Sequence, residues 1–265
     1  MLKNITIGQY FPGETIIHRL DPRVKLLGTF AFIIALFFIN SFYPYILVVT
    51  FILGTIKLSK VPFGYVLKGL KPLFLIISIT FLINLFMTKG EMLFEIGPLD
   101  VTKEGLRQAT FMALRLIFLV MGTSLLTLTT SPISLTDGIE RLLKPLSKIG
   151  VPAHELAMMM TIALRFIPTL LEETDKIMKA QMARGADFES GNIMKRAKSL
   201  VPLLVPLFVS AFRRADELAM AMEARCYRGG ENRTRMKELK FEKSDMVALS
   251  ITGIFIAIII TYRYI

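Results

Sequence analysis

The chain holds a single cysteine, Cys226, so neither an internal disulfide nor a multi-cysteine metal site is available to it. Histidine is nearly as scarce. His18 and His154 are too few and too isolated for a metal site, and the "HEL" at His154 lacks the second histidine of a zinc-protease helix. No glycine-rich loop ends in Gly-Lys-Ser or Gly-Lys-Thr, which excludes nucleotide hydrolysis of the P-loop kind by this chain. Asp137-Gly138 with Arg141 starts like a membrane phospholipid-headgroup transferase motif, but the later glycine and paired aspartates are missing. Acids are also in deficit, 21 against 32 lysines and arginines, for a formal charge of +11.

What is abundant is apolar sequence, 53% of 265 residues, and it comes in blocks. "LLGTFAFIIALFFIN" and "LFLIISITFLINLF" carry no charge, and "DMVALSITGIFIAIIITY" carries only its leading Asp245. Runs of this length span bilayers as helices, so an all-α integral membrane protein is expected. On such a chain the basic excess belongs to cytoplasmic loops under the positive-inside bias, and nucleic acid is not expected as a partner. The first 25 residues include His18, Arg19, Asp21, Arg23 and Lys25 without a cleavage site, so no cleavable signal peptide is expected.

Leu26 to Ile56 would make one helix of roughly 46 Å, well beyond a bilayer core. "NSFYP" in its middle holds turn residues and a proline, which predicts two short spans, near 25–41 and 43–58, joined at the outer surface. The loop after them carries Lys57, Lys60, Lys68 and Lys71 with no acid and is placed inside. A third span near 72–88 leads out to a segment, Lys89 to Arg107, where "LFEIGPLDV" reads as a small exposed hairpin. A fourth span near 109–130 returns, and a fifth near 246–262 exits. Arg115 lies within the fourth, either snorkelling to the outer interface or serving a buried partner or a functional role. None of these spans contains a carboxylate, which argues against an independent proton-coupled carrier.

Between them, 132–244 is harder to place. "LAMMMTIALRFIPTLL" has Arg165 near its centre, and "LVPLLVPLFVSAF" is short and proline-bearing, so both are poor spans. If the pair did cross, Lys176, Lys179, Arg184, Lys195, Arg196 and Lys198 would lie outside, against the bias. The expected organisation is therefore a membrane domain of four spans over 1–131, a cytoplasmic domain of long amphipathic helices over 132–244, and a C-terminal transmembrane helix over 245–265. Three helical units are predicted there, near 134–149, from "PAHEL" to Arg184, and from near Asn192 to about Arg225. Pro168, Pro202 and Pro206 should kink the last two.

The ends of those two helices match at an offset of 41: Asp175 with Asp216, Ala180 with Ala221, Ala183 with Ala224 and Arg184 with Arg225. One arginine between small residues at a helix end reads as a cap on the macrodipole. Its repetition points instead to a repeated task. An unhindered arginine can reach a carboxylate bidentately, and small neighbours let the helix end enter a groove on a partner.

These residues resemble the transmembrane T component (EcfT) of energy-coupling factor transporters, over essentially the whole chain. "HRLDPRVKLL" resembles the family's opening motif, "ALRFIPTLLEE" followed by "AQMARG" its first signature helix, and "AMEARCYRG" its second. The resemblance implies a non-catalytic subunit of a vitamin or other micronutrient importer in a bacterial or archaeal cell membrane, with a cytoplasmic N-terminus. It implies two ABC-type ATPase subunits as partners, which bind the ATP and Mg, while this chain binds no cofactor. It also implies a membrane-embedded S component that captures substrate and is moved when the ATPases close. The implied ATPase-binding residues are Ala183, Arg184 and Gly185 in one signature and Ala224, Arg225 and Cys226 in the other. Cys226 departs from the family's glycine; because a left-handed cap suits cysteine poorly, the second helix is expected to run on toward Gly229 and Gly230. The competing readings are an ordinary ABC importer permease lining its own substrate path, and a membrane-embedded enzyme, for which no catalytic constellation is visible.

Overall fold

The structure is a computed structural model, and it describes residues 10–96, 99–188, 192, 194, 198–230 and 239–264. Among the described residues it is all-α but for one hairpin. The helices are α1 (Ile16–Arg19), α2 (Pro22–Phe37), α3 (Tyr43–Ser59), α4 (Phe63–Leu70), α5 (Phe74–Met87), α6 (Lys103–Thr129), α7 (Pro132–Leu143), α8 (Ala153–Ala183), α9 (Val201–Ala224) and α10 (Lys243–Tyr264). The hairpin, β1 (Met92–Ile96) with β2 (Leu99–Thr102), is antiparallel and lies where "LFEIGPLDV" predicts it. The chain forms two compact units, a larger one from Gly8–Gly138 and Glu238–Ile265 and a smaller one around Ile139–Lys237.

Among the described residues, four helical stretches are long and apolar enough to cross a membrane: Phe63–Met87, Lys103–Thr129, Ala153–Ala183 and Lys243–Arg263. Three coincide with expected spans. The fourth, Ala153–Ala183, is the stretch judged a poor span from Arg165; its 31 residues supply the length, but it is the least apolar of the four. The two short spans expected from "NSFYP" are α2 and α3, of 16 and 17 residues, or roughly 25 Å each, and Pro44 opens the second. The lysine-rich loop after α3 contains a helix, α4, whose Val66 is fully buried. The helix expected from Asn192 instead starts at Val201, with Pro202 in its first turn. There proline has no helical N–H partner to lose, so it begins the helix and does not kink it; Pro206 lies inside. Residues 193 and 195–197 of that expectation lie outside the described residues.

The larger unit is apolar outside as well as inside. Phe30, Ile34 and Phe37 on α2, Leu75, Ile79 and Leu82 on α5, and Val247, Ile251, Ile254 and Ile258 on α10 are exposed at helical spacing. Water would oppose such a surface; hydrocarbon does not. Inside, Phe32 of α2 stacks on Phe51 of α3 and Phe255 of α10 with ring centroids 5.9 Å apart in both cases. Gly122 of α6 makes this possible, because a Cβ there would sit 2.6 Å from the Phe32 ring. Close packing of this kind, more than apolar burial, holds helices together in lipid. Threonines on these helices return their hydroxyls to the preceding turn, as Thr123 does to Leu119 and Thr252 to Ala248.

One end of the larger unit is closed by a buried polar latch built on "HRLDPRVK". Asp21 caps α2 by accepting from the Arg23 backbone N–H at 2.8 Å, and the Arg23 guanidinium folds back onto its carboxylate at 2.7 Å. The Asp21 N–H in turn donates to Asp245 Oδ1 at 2.8 Å, while Asp245 Oδ2 accepts from Glu242 N–H at 2.9 Å. Asp245, 2% exposed, thus ties the starts of α2 and α10 together. Lys25 Nζ donates to the carbonyls of His18 and Thr129, both at 2.9 Å, and adds the end of α6. His18 lies against Thr15 at 2.7 Å and the Phe11 carbonyl at 3.0 Å, and burial lowers its pKa, so it stays neutral at neutral pH. Replacing Asp245 by alanine strands the buried Asp21 N–H and the part-buried Glu242 N–H beside Arg23 and Lys25. It should cost about 3 kcal/mol and lower Tm by roughly 6–12 °C in a thermal melt; an unchanged Tm would show the latch to be decorative.

Candidate functional site

The two "small-Arg-small" endings fold alike. In α8 the helix stops at Ala183 with Arg184 as its cap residue (φ −87, ψ 7), and Gly185 turns left-handed at φ 88. In α9 it stops at Ala224 with Arg225 as cap residue (φ −91, ψ 12), and Cys226 turns left-handed at φ 56. Both ends are Schellman motifs. Gly185 N–H donates to Met182 O at 2.9 Å and Ala186 N–H to Gln181 O at 3.0 Å; Cys226 N–H donates to Glu223 O at 2.8 Å and Tyr227 N–H to Met222 O at 3.1 Å. The expected run-on of α9 toward Gly229 and Gly230 does not occur. The two closing hydrogen bonds outweigh the roughly 1–2 kcal/mol that a side chain costs in the left-handed region.

Ala183, Arg184, Gly185, Ala224, Arg225 and Cys226 are all exposed. Neither guanidinium forms an ion pair among the described residues, and each projects from a helix end with alanine on one side. Such a group keeps its five donors free for an outside acceptor.

The two endings are not neighbours. Within the smaller unit α8 and α9 run antiparallel. At one end Gln181 Nε2 donates to the Pro202 carbonyl at 3.3 Å; at the other, His154 Nε2 meets the Tyr227 hydroxyl at 3.2 Å. Between these, Glu173 of α8 pairs with Arg214 of α9 at 3.1 Å and accepts a hydrogen bond from Ser210. Glu173 and Arg214 are themselves 41 positions apart, so the repeat meets itself where the helices pack. Arg184 therefore sits beside the start of α9 and Arg225 beside the start of α8, a separation of roughly 35 Å along a 24-residue helix.

What holds the second ending is a contact that sequence reasoning misses. His154, set aside above as an isolated histidine, joins Glu140 of α7 at 3.1 Å through Nδ1 and Tyr227 through Nε2. Tyr227 directly follows Cys226, so the cap is tethered to the start of α8. The signal lay in the tyrosine after the cysteine, but its partner is 73 residues away. Elsewhere, Arg115 has the buried partner: Nη2 donates to the Ile39 carbonyl at 3.2 Å. No group of metal-binding side chains occurs among the described residues.

Residues 13–236 match the protein family described as cobalt transport protein, CbiQ. The chain is 65% identical over 264 residues to the energy-coupling factor transporter transmembrane protein EcfT of Thermosediminibacter oceani, covering 100% of both chains. It is 64% identical to the EcfT of Clostridium kluyveri over 265 residues, covering 99% of this chain and 98% of the relative. Against the EcfT of Bacillus subtilis it is 54% identical over 246 residues, covering 92% and 93%. The chain belongs to the EcfT family. It is thus a membrane component of an energy-coupling factor transporter, and the two matched helix ends belong to a transport machine.

The unequal caps make opposite demands. Gly185→Ala forces a Cβ into the left-handed region and should weaken the α8 end by about 1 kcal/mol, while Cys226→Gly should strengthen the α9 end by up to about 1 kcal/mol. Hydrogen exchange at the Ala186 and Tyr227 amides reads both. Shifts of the same sign would contradict the geometry.

Proposed function

We propose that the chain is the non-catalytic scaffold that couples ATP hydrolysis to uptake of a vitamin or other micronutrient. Arg184 and Arg225 each enter an acidic pocket on one of two ABC-type ATPase subunits, which bind the ATP and Mg. The smaller unit lies in the cytoplasm of a bacterial or archaeal cell and acts as the coupling domain. The membrane helices hold a membrane-embedded S component that binds the substrate. The N-terminus is cytoplasmic, which puts Lys57, Lys60, Lys68 and Lys71 on the inner side.

The observation that carries this reading is the spacing of the two caps. Two similar arginine-bearing endings roughly 35 Å apart at opposite ends of an antiparallel pair cannot share one pocket; they suit two like partners standing side by side. Motion of either partner then pulls on one end of a rigid pair, and the pair passes it on. This chain supplies position, not chemistry.

The test is co-expression with the two ATPase subunits, followed by co-purification and ATP-driven uptake in proteoliposomes. Each of Arg184→Ala and Arg225→Ala should weaken recovery of the ATPases by stranding a carboxylate on the partner, a loss of about 2–5 kcal/mol at that contact. The double variant should abolish uptake. Unchanged uptake by the double variant would overturn the role.

A further inference from the structure

Within the larger unit a basic cleft of about 320 Å³ opens at the hairpin end of α6. It is lined by Asn40, Thr88, Glu104, Arg107, Gln108 and Arg115 among others. Because α6 starts at Lys103, Arg107 stands roughly 6 Å and Arg115 roughly 18 Å along its axis. Each arginine commits one N–H to a carbonyl that α2 leaves unpaired beyond its last turn. Arg107 Nη2 donates to Asn40 O at 3.4 Å, and Arg115 Nη2 to Ile39 O at 3.2 Å. Aromatic rings steady both forks, Phe111 at 5.6 Å from Arg107 and Phe37 at 5.2 Å from Arg115.

The remaining donors are short of acceptors. The Tyr45 hydroxyl also lies against the Arg115 guanidinium, but Arg115 Nε is buried without a hydrogen-bond partner, and neither arginine forms an ion pair among the described residues. Glu104 is the one acid in the lining, and its Oε2 already accepts the Glu91 N–H at 2.8 Å. The cleft therefore keeps a net positive charge. A guanidinium inside an apolar helix without a counter-anion is costly, and a residue of this kind points to a functional site. Planar forks match the oxygens of a phosphate better than any other common anion at a bilayer surface. With 27 residues, roughly 40 Å, α6 overreaches the apolar core, so its first turns stand at headgroup level. Beside the cleft α5 exposes Leu82, Ile83 and Met87, an apolar surface for acyl chains.

We propose that this cleft binds the phosphate of an anionic phospholipid, taken from the leaflet on the hairpin side, with Arg107 and Arg115 supplying the charge and Arg115 Nε one of the donors. The test is native mass spectrometry of the full chain in detergent, titrated with phosphatidylglycerol, phosphatidylcholine or inorganic phosphate. One phosphatidylglycerol should be retained in preference to phosphatidylcholine. Arg107→Gln, at an exposed position that does not threaten folding, and Arg115→Lys, which keeps the charge but loses the fork, should each weaken retention by about tenfold or more. Lys57→Gln, an exposed lysine elsewhere, should leave it unchanged. Wild-type retention in both arginine variants would overturn the site, and binding of inorganic phosphate with no preference among lipids would overturn the lipid assignment.

Discussion

The antiparallel packing of α8 against α9 is the constraint on which the functional geometry depends. A helix end by itself is a common object, and an arginine near it is commoner still. What makes these two endings a device is that the pairing turns them to opposite ends of one stiff body. Gln181 against Pro202 and His154 against Tyr227 fix the two ends, and Glu173 against Arg214 fixes the middle. Without those contacts the arginines would be tethered only by the connection between the helices, and their spacing would be undefined.

The larger unit solves a different problem. In lipid the apolar effect gives helices little reason to associate, so packing and polar contacts must do it. Phe32 seated against Gly122 is the packing solution, and the Asp21–Asp245–Lys25 latch is the polar one. The latch gathers the starts of α2 and α10 and the end of α6 at one level. Its charges are balanced within itself, two carboxylates against Arg23 and Lys25, as burial requires. Such networks rigidify when complete and fail when one member is lost.

Much of this was legible in the sequence because its causes are local. Charge-free runs make spans, "NSFYP" makes a turn, "LFEIGPLDV" makes a hairpin, and the repeat at an offset of 41 exposes the paired ends. What escaped depends on distant partners or on competition between local terms. Asp245 reads as the flank of a span until Asp21, 224 residues away, is found donating to it. The helix α4 hides behind its lysines because its buried face comes down to Val66. Cys226 stops the helix against its own propensity because two hydrogen bonds close the cap and Tyr227, which follows it, is held by His154. Propensity lost to context there.

The central claim is that the two arginine-bearing ends stand far apart on one rigid pair. Spin labels at positions 184 and 225, with Cys226→Ser to remove the native thiol, measure it by electron–electron double resonance. The account expects a single narrow distance distribution near roughly 35 Å, the length of α9. A broad distribution, or one centred below about 20 Å, the reach of a single binding pocket's surroundings, would contradict it.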